Sequence, residues 1–63
     1  MMNIQQVAIE MLRKGPIDAR ELVQTLSDQL DVSHSDVKYA ISPLLSVGKA
    51  KFNKDGLLEL VDK

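Results

Sequence analysis

The strongest constraint on the fold lies in the second half of the chain, where a helical pattern of apolar residues runs directly into an alternating pattern. The helical pattern has the spacing i, i+3, i+4, i+7 and i+8, which forms one apolar stripe on a helix. It consists of Val37, Ala40, Ile41, Leu44 and Leu45. Gly48 is placed to end this helix, because glycine readily adopts the left-handed conformation found at helix C-termini.

The residues after Gly48 predict a β-hairpin. Ala50 and Phe52 alternate with lysines, as in a half-buried strand. Residues 53–56 (Asn-Lys-Asp-Gly) have the composition of a tight turn, with Gly56 at a position of positive φ. Leu57 and Val61 are expected on the outer side of the hairpin. The positions expected to face the core are Ala50, Phe52, Leu58 and Leu60.

The beginning of the chain predicts a first helix between Asn3, a good N-cap, and Gly15-Pro16, which cannot continue a helix. Its apolar positions repeat the spacing seen in the second half: Ile4, Val7, Ala8, Met11 and Leu12. Arg13 and Lys14 fall in the predicted last turn, where cations interact favourably with the helix dipole.

A second helix is predicted to begin after Asp18, with Glu21 at the spacing of a reciprocal capping box. Its apolar face consists of Leu22, Val23, Leu26 and Leu30. Ile17 allows two interpretations. It either packs back onto this helix as a hydrophobic staple or pairs as a short strand with the C-terminal hairpin.

A turn at residues 30–33 joins the second and third helices, and Ser33 is a good N-cap for the third, with Asp36 three residues later. Two apolar stripes joined by so short a turn must pack at a steep angle, as in a helix-turn-helix.

Pro43 complicates the third helix, because it has no N–H to donate to the carbonyl of Tyr39. The helix either continues with a kink, which the unbroken apolar period favours, or ends near Ile41 and restarts with Ser42 as N-cap and Pro43 at the first position.

The length of 63 residues predicts one domain, residues 1–63, near the lower size limit for independent folding. The absence of cysteine and the presence of a single histidine exclude a disulfide framework and a thiolate metal site, and we expect no cofactor. A homodimer or a protein partner would add buried area to so small a core. The N-terminus lacks the features of a signal peptide and no apolar run is long enough for a membrane span, so a cytoplasmic location is expected.

Helix, helix, turn, helix and hairpin in this order resemble the winged helix-turn-helix family of small bacterial and phage regulators. The resemblance covers nearly the whole chain and rests on Val32-Ser33, Val37, Ala40-Ile41, Leu44-Leu45, Gly48-Lys49-Ala50 and Asp55-Gly56. It implies an α+β, mostly α fold of three helices with a two-stranded β-hairpin as the wing. Apolar positions and turn residues carry the match, so it is specific for the fold and weak for the function.

The resemblance implies a small DNA-binding transcriptional regulator whose third helix reads the major groove and whose wing contacts phosphates. The outward residues of that helix would be His34, Ser35, Lys38, Tyr39 and Ser42. The wing would contribute Lys51, Asn53 and Lys54. Plainer interpretations exist for each. Lys38 fits a solvated lysine, Tyr39 fits cover at the edge of the core, and the wing lysines fit charges that protect a sheet edge from pairing.

Charge is distributed unevenly although the formal net charge is only −1. Residues 37–54 contain lysines and no acid, whereas residues 18–36 contain several acids and one arginine, Arg20. A basic third helix and wing favour DNA, and an acidic second helix disfavours it. Only about four phosphate contacts per protomer would give weak binding, so specific binding would require a dimer or a partner.

The alternative function is a winged-helix module that binds another protein, as an adaptor or inhibitor, without binding DNA. The candidate contact residues are Tyr39, Pro43, Leu57 and Val61, and Met1 and Met2 are candidates for a dimer seam. Scattered surface apolarity explains the same residues equally well.

Nothing in the sequence predicts an enzyme. There is no glycine-rich phosphate loop and no cysteine nucleophile, and capping explains the local cluster of Ser33, His34, Ser35 and Asp36. A chain this short is also expected to lack a pocket of ligand size, which argues against a small-molecule substrate.

Overall fold

The computed structural model describes residues 3–61 and contains three helices followed by an antiparallel hairpin. Helix α1 spans Ile4–Leu12, α2 spans Ala19–Leu30 and α3 spans His34–Ser46. Strand β1 spans Ala50–Phe52 and β2 spans Leu58–Leu60. This is the α+β layout of a winged helix, as predicted. None of the helices within residues 3–61 is long and apolar enough to cross a membrane.

The three predicted N-caps are confirmed. The side chain of Asn3 accepts hydrogen bonds from the amides of Gln5 and Gln6, and the Asp18 side chain accepts one from Arg20. Ser33 Oγ accepts one from the Asp36 amide at 3.1 Å. Each bond satisfies an amide that has no partner inside its helix.

Two details of the helix ends differ from the prediction. The carboxylate of Glu21 does not return to the amide of Asp18, so only half of the capping box forms. Helix α1 ends at Leu12, with Arg13 as C-cap and Lys14 in the following turn, so neither cation lies in the last helical turn. The reason is that Gly15, with φ 145°, already turns the chain, and Pro16 follows it.

The turn between α2 and α3 depends on Asp31, whose backbone is left-handed with φ 54° and ψ 51°. The amides of Asp31 and Val32 both donate to the carbonyl of Ser27, and Ser27 Oγ donates to the carbonyl of Val32 at 2.7 Å. These bonds end α2 and bring the chain directly to the cap of α3.

Helix α3 is a single element that passes through Pro43, which confirms the continuous alternative and excludes a restart at Ser42. Pro43 is exposed, so the carbonyl that it leaves without an amide partner lies on the solvent side, where water can bond to it. Hydrogen bonding resumes at once, because the Val47 amide donates to the carbonyl of Pro43 at 3.0 Å.

Ile17 forms an isolated antiparallel β-bridge with Leu58 of the two-stranded sheet, which favours pairing over the hydrophobic staple. Its amide donates to the carbonyl of Leu58 at 2.9 Å, and the Leu58 amide donates back at 2.8 Å. Leu58 also pairs with Phe52 across the hairpin, so β2 lies between Ile17 and β1. Gly56 has φ 80° in the hairpin turn, the positive φ that the sequence predicts at this position.

The core is aliphatic and lies where the three helices meet the inner face of the hairpin. Its buried members are Ala8, Leu12, Leu22, Leu26, Val37, Ile41, Leu44, Ala50 and Leu58. The other predicted core positions of α1 and α2, together with Leu60, are half-buried against them. The proposed dimer seam at Met1 and Met2 lies outside the described residues.

Two predicted core residues are not in the core. Phe52 is 53% exposed and Leu45 is 38% exposed. Phe52 and Leu58 are directly opposite in the register and so share one face of the sheet, yet only Leu58 is covered. The alternation of residues determines the face on which a side chain lies. It does not determine whether a neighbouring helix covers that face.

Candidate nucleic-acid interface

The outer face of α3 carries small hydroxyl side chains, one lysine and one tyrosine. Ser35, Lys38, Tyr39 and Ser42 are all exposed, opposite the buried stripe of the helix, and Tyr39 is 81% exposed. Tyr39 therefore does not cover the edge of the core. Ser42 Oγ donates to the carbonyl of Lys38 at 2.8 Å, which leaves its oxygen able to accept a further hydrogen bond.

The acidic residue of α3, Asp36, lies on a different side of the helix from Lys38. Asp36 is exposed, and its amide, not its carboxylate, takes part in the cap. Since successive residues of an α-helix are rotated by about 100°, Asp36 and Lys38 lie on opposite flanks of α3. The flank that carries His34 and Lys38 is therefore free of the negative charge of Asp36.

The predicted DNA-contacting residues of the wing differ in how free their side chains are. Lys54 is exposed in the turn of the hairpin, and Lys51 is exposed with its Nζ 3.9 Å from Glu59 Oε2. The side chain of Asn53 holds the turn: its Oδ1 accepts from the amides of Asp55 and Leu57 at 2.9 and 3.0 Å, and its Nδ2 donates to Glu59 Oε1. Glu59 thus offsets one wing lysine and occupies the amide group of Asn53.

An open hollow of about 570 Å³ lies between α2, α3 and β1. It brings together three of the predicted residues, namely His34, Lys38 and Ser42. Ser35, Tyr39 and the predicted wing residues do not line it. Its volume is comparable to that of small-molecule sites, about 300–1,000 Å³, but it is an open depression of the surface and does not enclose a ligand.

The hollow also contains residues that the sequence did not assign to a site. Arg20 and Gln24 line it from α2, and Leu45 and Phe52 line it from α3 and β1. Arg20 was not among the residues predicted to contact DNA, and the structure brings it to the hollow that Lys38 also lines. An exposed arginine in the first turn of a helix is not distinctive in a sequence. Its role depends on how α2 packs against α3.

The charges around the hollow have mixed sign. Arg20 and Lys38 line it together with Asp18, whose Oδ1 accepts a 2.8 Å hydrogen bond from the Arg20 amide. Gln24 Nε2 donates to both carboxylate oxygens of Asp28, at 3.1 and 3.2 Å. Asp28 does not line the hollow, and Asp18 lines it as a charged carboxylate, so two cations and one acid remain among its lining residues.

The residues of the alternative protein interface lie in different places. Tyr39 and Pro43 are exposed on α3, whereas Leu57 and Val61 are half-buried beside β2. Val61 lines a second hollow, of about 720 Å³, together with Ile9 and Leu12 of α1.

No group of three or more histidine, aspartate or glutamate side chains in residues 3–61 is arranged to hold a metal ion. Comparisons of the chain with models of protein families, with curated proteins and with solved structures find no match. The function is therefore inferred from the chain's own side chains.

Proposed function

We propose that this protein is a small DNA-binding regulator that reads the major groove with α3 and contacts phosphates with its wing. One observation carries the proposal. Arg20, His34, Lys38 and Ser42, all of them hydrogen-bond donors, line one hollow beside the exposed and acid-free flank of α3. Arginine and lysine at such a surface can donate to guanine O6 and N7, and serine can contact bases or phosphates.

The remaining contacts of the proposed interface are electrostatic. Lys51 and Lys54 of the wing would contact the phosphate backbone, as would Arg20 from the first turn of α2. About four such contacts give weak binding, which two protomers on adjacent half-sites would strengthen. The bacterial and phage regulators that the chain resembles act on DNA in the cytoplasm, and we accordingly propose a cytoplasmic location.

The test is a fluorescence-anisotropy titration of the protein against generic duplex DNA at two salt concentrations. Four phosphate contacts predict an affinity that falls about 100-fold between 50 and 200 mM salt. The absence of binding at the lower concentration would refute the proposal.

A matched pair of charge reversals localises the interface. Lys38→Glu and Lys14→Glu change the net charge equally, but Lys14 lies in the turn after α1, away from the hollow of Lys38. We expect Lys38→Glu to abolish binding and Lys14→Glu to weaken it only slightly. The double variant Lys51→Glu, Lys54→Glu should lower affinity for all DNA sequences alike. Equal effects of Lys38→Glu and Lys14→Glu would show that α3 does not read DNA.

The second candidate is the protein-binding module without DNA binding. Three exposed residues favour it: Tyr39 and Pro43 on successive turns of α3, and Val47, which is the C-cap of α3 and is 66% exposed. Exposed apolar residues at this spacing form a ridge that a partner can cover. This candidate would be supported if duplex DNA does not bind at low salt and the two variants differ in capturing a partner protein. Tyr39→Ser should then lose the capture, and Lys38→Glu should retain it.

A further inference from the structure

About half of the residues that line the hollow between α2, α3 and β1 are apolar, although it lies beside the surface proposed to contact DNA. They include Val23, Ile41, Leu58, Leu45 and Phe52, and the last two are the residues that the core fails to cover. A phosphate backbone gains nothing from such a surface. Exposed apolar area bounded by polar residues is typical of a protein-docking site.

The shape of the hollow fits a peptide better than a small molecule. A small ligand is normally held in a site that buries most of its surface. Here two of the apolar lining residues, Leu45 and Phe52, are exposed, and the hollow is open to solvent. A helical or extended segment can lie across it and insert one or two large apolar side chains.

The charged residues at the hollow indicate which charge a bound peptide segment would carry. Arg20 and Lys38 line it from α2 and α3, and Asp18, the one acid that lines it, accepts a hydrogen bond from the Arg20 amide as the cap of α2. The chain as a whole has a formal net charge of −1, whereas two cations and one acid line the hollow. Carboxylates flanking an apolar anchor would complement it.

We propose that this hollow is the docking site for an acidic amphipathic segment of a partner protein. The apolar side chains of the segment would pack on Leu45 and Phe52, and its carboxylates would pair with Arg20 and Lys38. Such a segment would cover Lys38 and Ser42, so the partner and DNA would exclude each other. The exclusion rests on the proposed function, whereas the docking itself does not.

Selection from a library of random displayed peptides, with the full chain as bait, tests the docking and does not require the partner to be identified. We expect enrichment of peptides that combine aspartate or glutamate with leucine or an aromatic residue. A synthetic peptide from the selection, titrated into ¹⁵N-labelled protein, should shift the amide resonances of residues around the hollow. Failure to enrich such peptides, or shifts confined to other surfaces, would overturn the proposal.

Two matched pairs of variants sharpen the test. Phe52→Ser should weaken the selected peptide about tenfold or more, as expected for a central apolar contact, while Tyr39→Ser, which removes an exposed aromatic outside the hollow, should change its Kd less than about twofold. Lys38→Gln should weaken it more than Lys54→Gln does. Circular dichroism of each variant checks that it is folded. Equal effects within either pair of variants would overturn the proposal.

Competition separates this proposal from the proposed function. If the selected peptide displaces labelled duplex DNA in proportion to its own occupancy, the docking and the exclusion are both supported. If the peptide binds the hollow but DNA does not bind at all, the docking stands and the proposed function fails. If the protein instead self-associates in sedimentation and Phe52→Ser abolishes that association, a second copy occupies the hollow and the proposal is overturned.

Discussion

Alanine substitutions at Phe52 and Leu58 should differ sharply in their effect on stability. The two residues face each other across the hairpin and are both apolar, so a sequence pattern treats them alike. In the structure Leu58 is 1% exposed, whereas Phe52 is 53% exposed and borders an open hollow. The pair therefore tests directly whether the hollow exists.

The expected magnitudes follow from burial. Leu58→Ala removes a fully buried side chain and should cost about 2–5 kcal/mol. Folding buries roughly half of the Phe52 side chain, about 100 Å², and burial of this area is worth about 2 kcal/mol. An alanine at this position would retain part of that contribution. We therefore expect Phe52→Ala to cost about 1 kcal/mol. A chain of 63 residues has a total free energy of unfolding of about 3–9 kcal/mol, so Leu58→Ala is expected to remove a much larger share of it than Phe52→Ala.

Urea unfolding followed by circular dichroism at 222 nm measures both costs. Tyr39→Ala is the control for an exposed aromatic and should change the free energy of unfolding by less than about 0.5 kcal/mol. Near-parental behaviour of Phe52→Ala beside a strongly destabilised or unfolded Leu58→Ala would confirm the reasoning. A cost for Phe52→Ala equal to that of Leu58→Ala would place Phe52 in the core and refute the hollow, and with it the docking site.

Three further variants probe a helix cap, the bridge at Ile17 and a turn. Ser33→Ala removes the cap of α3 and should lower the free energy of unfolding by about 1 kcal/mol in urea titrations, while an unchanged midpoint would show that the cap is dispensable. Ile17→Pro deletes the amide that bonds to Leu58 and should lower the Tm, with a cost of about 1 kcal/mol or more. An unchanged Tm would mean that the bridge between Ile17 and Leu58 contributes nothing. Asp31→Asn keeps a residue that tolerates the left-handed backbone and removes a negative charge from the C-terminus of α2. The free energy of unfolding should therefore rise by about 0.3–1 kcal/mol at low salt. A decrease would contradict this account of the turn.

Part of the candidate site was accessible from the sequence. The helical period placed His34, Lys38 and Ser42 on the outer side of α3, and the structure brings these three to one hollow. Arg20 and Phe52 were missed, because they reach the hollow only through the packing of α2 and β1 against α3. Asn53 was predicted both in the hairpin turn and as a phosphate contact, and its side chain makes the hydrogen bonds of the turn.

The fold itself was largely determined by local signals. Asn3, Asp18 and Ser33 cap the helices, and Gly48 and Gly56 adopt positive φ. These features could be predicted because helix capping and turn formation depend on a few neighbouring residues. Apolar periodicity likewise predicted the face that each helix buries.

Only the tertiary structure decided how completely each face is covered. The same apolar patterns that bury Leu44 and Leu58 leave Leu45 and Phe52 exposed, and Ile17 joins the sheet through a partner far away in the sequence. Coverage depends on the distance and angle between elements, which arise from contacts across the whole chain. The open hollow of this small protein is a consequence of that packing, and no local pattern of residues encodes it.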